Sequence, residues 1–407
     1  MATDNLIIML SGLLLLAIVV QPLSQRLHLP FTAVLVVTGF MASELLVRSG
    51  IDTGIRAENF HSLVFYVFLP VLIFESAYNT DVRLLLRNLL PILFLAIPLM
   101  LLSILITAAL VYLGIGHPEG FPWIAALLTG ALLAATDPIA VVAIFRRLGV
   151  PERLALLLEG ESLFNDATAI VMFSVFIAVA TQTAGPMTIA DGTVFFLKVF
   201  FGGIIVGGVT GAVFLFVTRL VNNSISRAAA TVISAYLAFI VAESLLHVSG
   251  VMAVLVAGII LGRSSSHTAS ADGDFVEQLW AFNAWVANAL VFLLMGVTIT
   301  LGMFIDRWLA MLIGIAAIII ARAIGVFGFV PLLTRLTPVE PIPKAWQTLM
   351  FWGGLRGAVT LALALSLPTE LEYWWTIQSI AFGVVLFTLF VQATTMAPLI
   401  RKYRINK

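Results

Sequence analysis

The chain has 407 residues, of which 61% are hydrophobic and only 10% charged, and its mean hydropathy is +1.12. Soluble domains carry about 25% charged residues. The polar surface is therefore too small to coat a water-soluble globule of this size, which leaves a multi-pass membrane protein. The net charge of zero says nothing about nucleic-acid or acidic partners, and the lack of cysteine excludes disulfides, thiolate metal sites and a cysteine nucleophile.

The N-terminus, Met1-Ala2-Thr3-Asp4-Asn5, turns apolar without a basic start, and the first basic residue, Arg26, follows the apolar run. A cleavable signal needs the opposite order and a small-residue cleavage site. The first run therefore reads as a spanning helix with its N-terminus outside. Thirteen apolar segments are expected, at 5–22, 31–47, 60–77, 89–114, 122–145, 153–181, 193–220, 227–247, 250–263, 276–301, 307–335, 344–366 and 375–400. The segment 250–263 is short for about 30 Å of hydrocarbon, and the longest are expected to tilt. In this orientation the inner ends collect fifteen cations: Arg26, Arg83, Arg87, Arg146, Arg147, Arg153, Arg219, Arg227, Arg263, Arg335, Lys344, Arg401, Lys402, Arg404 and Lys407. The outer ends collect four: Arg48, Arg56, Lys198 and Arg307. The bias obeys the positive-inside rule and puts the C-terminus in the cytoplasm, which requires an odd number of spans.

Two segments carry interruptions. The fifth is broken at Thr136-Asp137-Pro138, where proline removes a backbone donor and disfavours helix in the residue before it. The twelfth is broken at Gly353-Gly354-Leu355-Arg356-Gly357, where glycines loosen the helix. Each is fifth in a group of six, segments 1–6 and 8–13, with segment seven between. An odd number of steps separates the groups, so the second enters from the opposite side. Inverted repeats whose broken helices meet near mid-membrane describe a transporter. The symmetry rests on topology and break positions, since no letter-by-letter repeat is visible.

Acidic residues at membrane depth mark the candidate site. A carboxylate there costs about 3 kcal/mol or more, so Asp137 and Asp166, on neighbouring apolar segments, point to a cation or proton path. Around Asp166 the run is Glu159-Gly160-Glu161-Ser162-Leu163-Phe164-Asn165-Asp166-Ala167-Thr168. On a helix, Ser162 and Asp166 share one face, and Glu161 and Asn165 share another. Ser162 lends an oxygen beside the carboxylate, a set that suits a hard monovalent cation such as sodium. The same carboxylate can take a proton instead, because desolvation disfavours a charged carboxyl in general. One site with two mutually exclusive occupants gives exchange by competition. The plainer alternative is a structural acid paired with an arginine.

At the first break, Asp137 is expected to neutralise helix N-termini and hold the crossing, while the hydroxyl or carbonyl of Thr136 faces the ion. Arg356 is expected to offset the carbonyl ends at the second break. Arg322, within Ile318-Ile319-Ile320-Ala321-Arg322-Ala323, is a second buried cation, and Glu161 is the best partner for either by position and sign. For both arginines a structural clamp and a direct role in transport are equally open. Glu75, at the end of segment three, either lines a cytoplasmic funnel or faces the interface, and Glu243 is similar. The five histidines, His28, His61, His117, His247 and His267, fall near segment ends and form no convincing metal cluster. Gly203, Gly207 and Gly211 form a small-residue stripe explained by close helix packing. Trp374-Trp375 is an interfacial anchor.

Gly-Glu-Ser-Leu-Phe-Asn-Asp (160–166), Ala-Thr-Asp-Pro-Ile-Ala-Val (135–141) and Gly-Gly-Leu-Arg-Gly-Ala-Val (353–359) resemble the electroneutral sodium/proton exchanger branch of the monovalent cation:proton antiporters. The resemblance covers the chain from end to end, including the 13-helix count. It implies an all-α membrane protein of two inverted six-helix repeats with discontinuous crossing helices, working as a homodimer in the lipid of the plasma membrane, with no nucleic-acid partner. It implies a dimerisation domain of helices 1–3 (1–80) and 8–10 (227–301), and a core domain of helices 4–6 (84–181) and 11–13 (304–400). Helix 7 (191–221) links them, and 401–407 form a short tail. The family's ion-binding aspartate falls on Asp166, its serine ligand on Ser162, the threonine beside the crossing on Thr136, the motif asparagine on Asn165 and a third-helix glutamate on Glu75. The buried Glu–Arg pair falls on Glu161 with Arg356, although Arg322 can share or take that role. The transported ions would be sodium (with lithium and potassium as alternatives) and protons, with no cofactor. The electrogenic sister branch has two adjacent aspartates where this chain has Asn165-Asp166, and one titrating acid fits a neutral one-for-one swap. Eukaryotic relatives add a long cytoplasmic regulatory domain after the point where this chain stops, so a prokaryotic or truncated protein is expected.

Rival readings are a cation channel, which would need a continuous polar pore, and an intramembrane hydrolase using Asp137 and Asp166 as an aspartyl dyad. A symporter for an organic substrate is a closer rival. No acidic ring or carbonyl-filter motif supports the channel.

Overall fold

The computed structural model describes residues 3–27, 29–48, 63–115, 121–181, 189–221, 223–265, 271–336 and 340–405. His28, Arg56, His61, His117, His267 and Lys407, all used in the sequence reading, lie outside them. Among the described residues, thirteen apolar helical segments follow in chain order. They are α1 (Thr3–Leu27), α2 (Phe31–Arg48), α3 (Val64–Asn79), α4 (Leu89–Gly114), α5 (Trp123–Leu148), α6 (Glu152–Ala180) and α7 (Ile189–Leu220). The second half continues with α8 (Ser224–Leu245), α9 (Gly250–Ser265), α10 (Ala271–Thr298), α11 (Leu301–Arg335), α12 (344–365) and α13 (Trp374–Tyr403). Among the described residues nine helices are long and apolar enough to cross a membrane, α2, α3 and α9 are shorter apolar helices, and α12 consists of two short halves.

Each expected segment is a helix, and most differences are at the ends. A short helix that the hydropathy pattern did not suggest, Val82–Arg87, joins α3 to α4 and starts where the Asp81 carboxylate accepts the N–H groups of Arg83 and Leu84. Lys198 and Arg307, placed among the outer charges, lie within helical stretches. The helix is bent at Arg307 (φ −127°, ψ 17°), where the apolar run was expected to begin, and the Arg307 Nε donates to Thr376 Oγ1 at 3.0 Å.

Two sets of helices pack more closely within themselves than with each other. In one, α4 lies on α5 and α11, α11 on α13, and α5 on α6. In the other, α2 lies on α10, α3 on α9, and α8 on α9 and α10, with α7 against α8 and α9. The Gly203/Gly207/Gly211 stripe lets α7 approach α9: a Cβ on Gly207 would strike the backbone of Ala253. This accounts for the stripe by packing. Glu243 caps the start of α9 by accepting the Gly250 N–H at 2.9 Å.

The two breaks cross. In α5 the helix stops at Ala134 and resumes at Ile139, giving α5a (Trp123–Ala134) and α5b (Ile139–Leu148). In α12 it stops at Trp352 and resumes at Ala358, giving α12a (Lys344–Trp352) and α12b (Ala358–Leu365). The extended strands between them touch, with the Asp137 N–H donating to the Leu355 carbonyl at 2.8 Å. Gly357 is required by this contact, because a Cβ there would occupy the space of the Asp137 carboxylate.

Candidate ion site at the helix crossing

Interrupting two helices in a dry interior exposes four helix ends, each with unpaired backbone groups and a partial charge. Side chains from the chain's own polar motifs meet all four. Asp137 serves both N-termini: it accepts the Ile139 N–H at 3.0 Å and the Ala358 N–H. Arg356 serves the carbonyl ends, with Nε donating to Leu133 O at 2.7 Å and Nη1 to Gly354 O. Its own N–H donates to Thr388 Oγ1 at 3.2 Å, from a π-helical turn in α13. At and just beyond the end of α5a three more carbonyls are met: Asn165 Nδ2 donates to Ala134 O at 2.9 Å, Thr360 Oγ1 to Ala135 O at 3.3 Å and Ser162 Oγ to Thr136 O.

Of the two arginines that the sequence left open as partners of Glu161, Arg322 makes the buried ion pair. Both Arg322 terminal nitrogens reach the Glu161 carboxylate, Nη2 at 3.0 Å to Oε2, while Nε and Nη2 also donate to Met350 O at 3.3 and 3.0 Å. The physical reason is reach: the Arg356 guanidinium is held by carbonyls of both breaks, which leaves the carboxylate to the arginine on α11.

Two buried side-chain oxygens at the crossing are left without a donor among the described residues, Asn165 Oδ1 and Asp166 Oδ1. Asp166 accepts the Thr136 N–H, but its Oδ1 is buried and meets no hydrogen-bond partner among the described residues. Asp166 lines a cavity. Thr136, Asp137 and Ser162 line the same cavity, as do Ser76 of α3, Asn288 of α10 and Thr360 of α12b. Carboxylate, hydroxyl, carbonyl and amide oxygens around one space are the donor set that hard cations take.

The other expected site residues are placed differently. Glu161, Asn165, Arg322 and Arg356 line a second, smaller cavity, together with Ser103 and with Leu95 and Leu99 from a π-helical turn of α4. Asn165 thus turns its amide to the end of α5a, away from the cavity that Asp166 faces. Glu75 lines neither cavity; its carboxylate accepts Asn79 Nδ2 at 2.8 Å, although the adjacent Ser76 reaches the first. Sequence reading missed Ser76, Thr360, Thr388 and Asn288. Only Asn288 carried a usable signal, as a lone amide in the apolar stretch 286–295.

Crossed broken helices, balanced by buried charges and flanking an oxygen-lined cavity with a single available carboxylate, define a membrane ion transporter. A family model described as "Sodium/hydrogen exchanger, transmembrane" matches residues 12–402. The chain belongs to this sodium/hydrogen exchanger family, and it is a multi-pass integral membrane transporter and not an enzyme. It is 37% identical over 401 residues to the Na+/H+ antiporter ApNhaP of Aphanothece halophytica, covering 98% of this chain and 74% of that one. It is 34% identical to the low-affinity Na+/H+ antiporter NhaS1 of Synechocystis, covering 96% and 73%. The fold matches the solved structure of the sodium proton antiporter MjNhaP1 from Methanocaldococcus jannaschii with a TM-score of 0.81 at 22% identity, over 97% of this chain and all of that one.

Proposed function

We propose that the chain exchanges sodium, or a similar monovalent cation, for protons across the membrane, one for one, by alternating access, with ion and proton competing for Asp166. The observation that carries this reading is the orphaned Oδ1 of Asp166 on a cavity it shares with Ser162 and Thr136. Asp137 is occupied by two backbone N–H groups at the crossing, and Asn165 is neutral, so one acid is left to alternate between cargoes. A single titrating group makes the swap electroneutral. Asp166 that is charged and empty is too costly to carry past an apolar barrier, which couples the two fluxes.

The moving core comprises α4–α6 and α11–α13, the dimerisation domain comprises α1–α3 and α8–α10, and α7 links them. The packing of α4 on α5 and α11, and of α2 on α10 and α3 on α9, supports this division. The cavity lies at the seam, with α3 and α10 on one wall and the crossing on the other. Glu75, held by Asn79 beside Ser76, guides cations along the approach. The protein works as a homodimer in the plasma membrane with its N-terminus outside and its C-terminus in the cytoplasm, as the loop charges and the resemblance suggest.

The test is sodium uptake driven by a pH gradient in proteoliposomes, with the voltage clamped and unclamped. Asp166→Asn is expected to abolish uptake, and the parental rate is expected to be insensitive to voltage. Raising the proton concentration should raise the sodium KM without lowering the maximal rate at saturating sodium. Retained exchange in Asp166→Asn overturns the assignment.

A further inference from the structure

The wall of the cavity opposite the crossing carries a second orphaned oxygen. Asn288 sits in α10 within Val286-Ala287-Asn288-Ala289-Leu290-Val291-Phe292, an otherwise apolar run whose Ala287, Ala289 and Leu290 are buried. Its Oδ1 is buried and, like Asp166 Oδ1, meets no hydrogen-bond partner among the described residues. Both residues line one cavity. A buried amide oxygen without a donor is costly, and a side chain serving only to fill space would be apolar. A hydrogen bond across the seam would explain a purely structural amide, but among the described residues no such bond joins Asn288 Oδ1 to any polar residue of the cavity. What remains is an oxygen without a donor on a residue that lines the space where the cation is expected.

We propose that Asn288 is a cation ligand, contributing its side-chain carbonyl to the ion held by Asp166 and Ser162. The inference rests on the exchange reading above and adds a ligand from the helix set that does not contain the crossing. An amide oxygen suits this place because it adds a dipole without a second titrating charge, so the site keeps one negative charge and the exchange stays neutral. It also ties the ion to both walls of the seam, and occupancy by sodium then differs from occupancy by a proton. A proton needs only Asp166, whereas the cation needs the ring of oxygens. Asn288 therefore tunes affinity for the cation while leaving protonation of Asp166 to its own surroundings.

The experiment compares Asn288→Leu, which keeps the volume and removes the oxygen, with Asn288→Asp, which keeps an oxygen in place. Full-length variants are reconstituted and assayed for sodium KM, maximal rate and thermal midpoint. Asn288→Leu is expected to raise the sodium KM by about fivefold or more, the scale of losing one contact of hydrogen-bond strength, with a near-parental maximal rate at saturating sodium. Asn288→Asp is expected to keep the KM at or below the parental value. An unchanged KM in Asn288→Leu overturns the proposal, as does a fall in maximal rate with KM unaltered, which marks a packing role. Asn288→Ala serves if Asn288→Leu does not fold, and failure of both to fold likewise makes Asn288 a packing residue. Asp166→Asn, run alongside, separates the two readings: if it abolishes exchange while Asn288→Leu leaves KM untouched, only the ligand assignment falls.

Discussion

Removing Glu161 should destabilise the protein more than removing its partner, Arg322. The pair is nearly dry, with side chains 2% and 11% exposed. The two arginines crowd one place: a Cβ on Gly354 would meet Arg322 Nε at 3.0 Å and Arg356 Nη1 at 3.1 Å. Glu161→Gln leaves two guanidinium groups close together with no anion between them. Breaking a buried pair in this way costs about 3–5 kcal/mol. Arg322→Gln leaves a carboxylate that still has the Arg356 guanidinium nearby as a counter-charge, so roughly half that cost is expected. At about 2 °C per kcal/mol for a chain of several hundred residues, the midpoint falls by about 6–10 °C for Glu161→Gln and about 4 °C for Arg322→Gln. The double variant should lie above Glu161→Gln alone, because it relieves the repulsion. Thermal unfolding followed by tryptophan fluorescence in detergent at pH 8 reads all three. An Arg322→Gln variant as damaged as Glu161→Gln, or more so, would refute this account of the charge cluster.

Two further substitutions probe the crossing and the ion. Gly357→Ala drives a methyl group into the Asp137 carboxylate and should reduce exchange by at least about tenfold, the effect of a barrier raised by about 1.4 kcal/mol; Gly208→Ala, where a Cβ meets nothing within 4 Å, should be neutral in the same uptake assay. Ser162→Ala removes a hydroxyl from the cavity and frees the Thr136 carbonyl, so the sodium KM should rise by about tenfold while residual exchange still saturates. Unaltered sodium KM in that variant would remove Ser162 from the ligand set.

Composition alone settles that the chain lives in a membrane, because 10% charged residues cannot cover its surface. Proline at 138 and the glycines at 353–357 determine where two helices stop, since backbone donors and conformational freedom are local properties. Asp166 and Ser162 declare themselves by helical spacing within an apolar run. What the linear order could not decide was partnership. Glu161 precedes two candidate arginines by more than 150 positions, and only the folded chain shows Arg356 held by carbonyls at Leu133 and Gly354 and Arg322 closing the pair. Likewise Asn165 and Asp166 are neighbours in sequence, yet a helix turns consecutive residues by about 100°. One therefore faces the helix end it caps and the other the cavity. Asn288 becomes meaningful only when α10 is laid across the crossing, because a site assembled from distant segments exists in three dimensions and in no single stretch of chain.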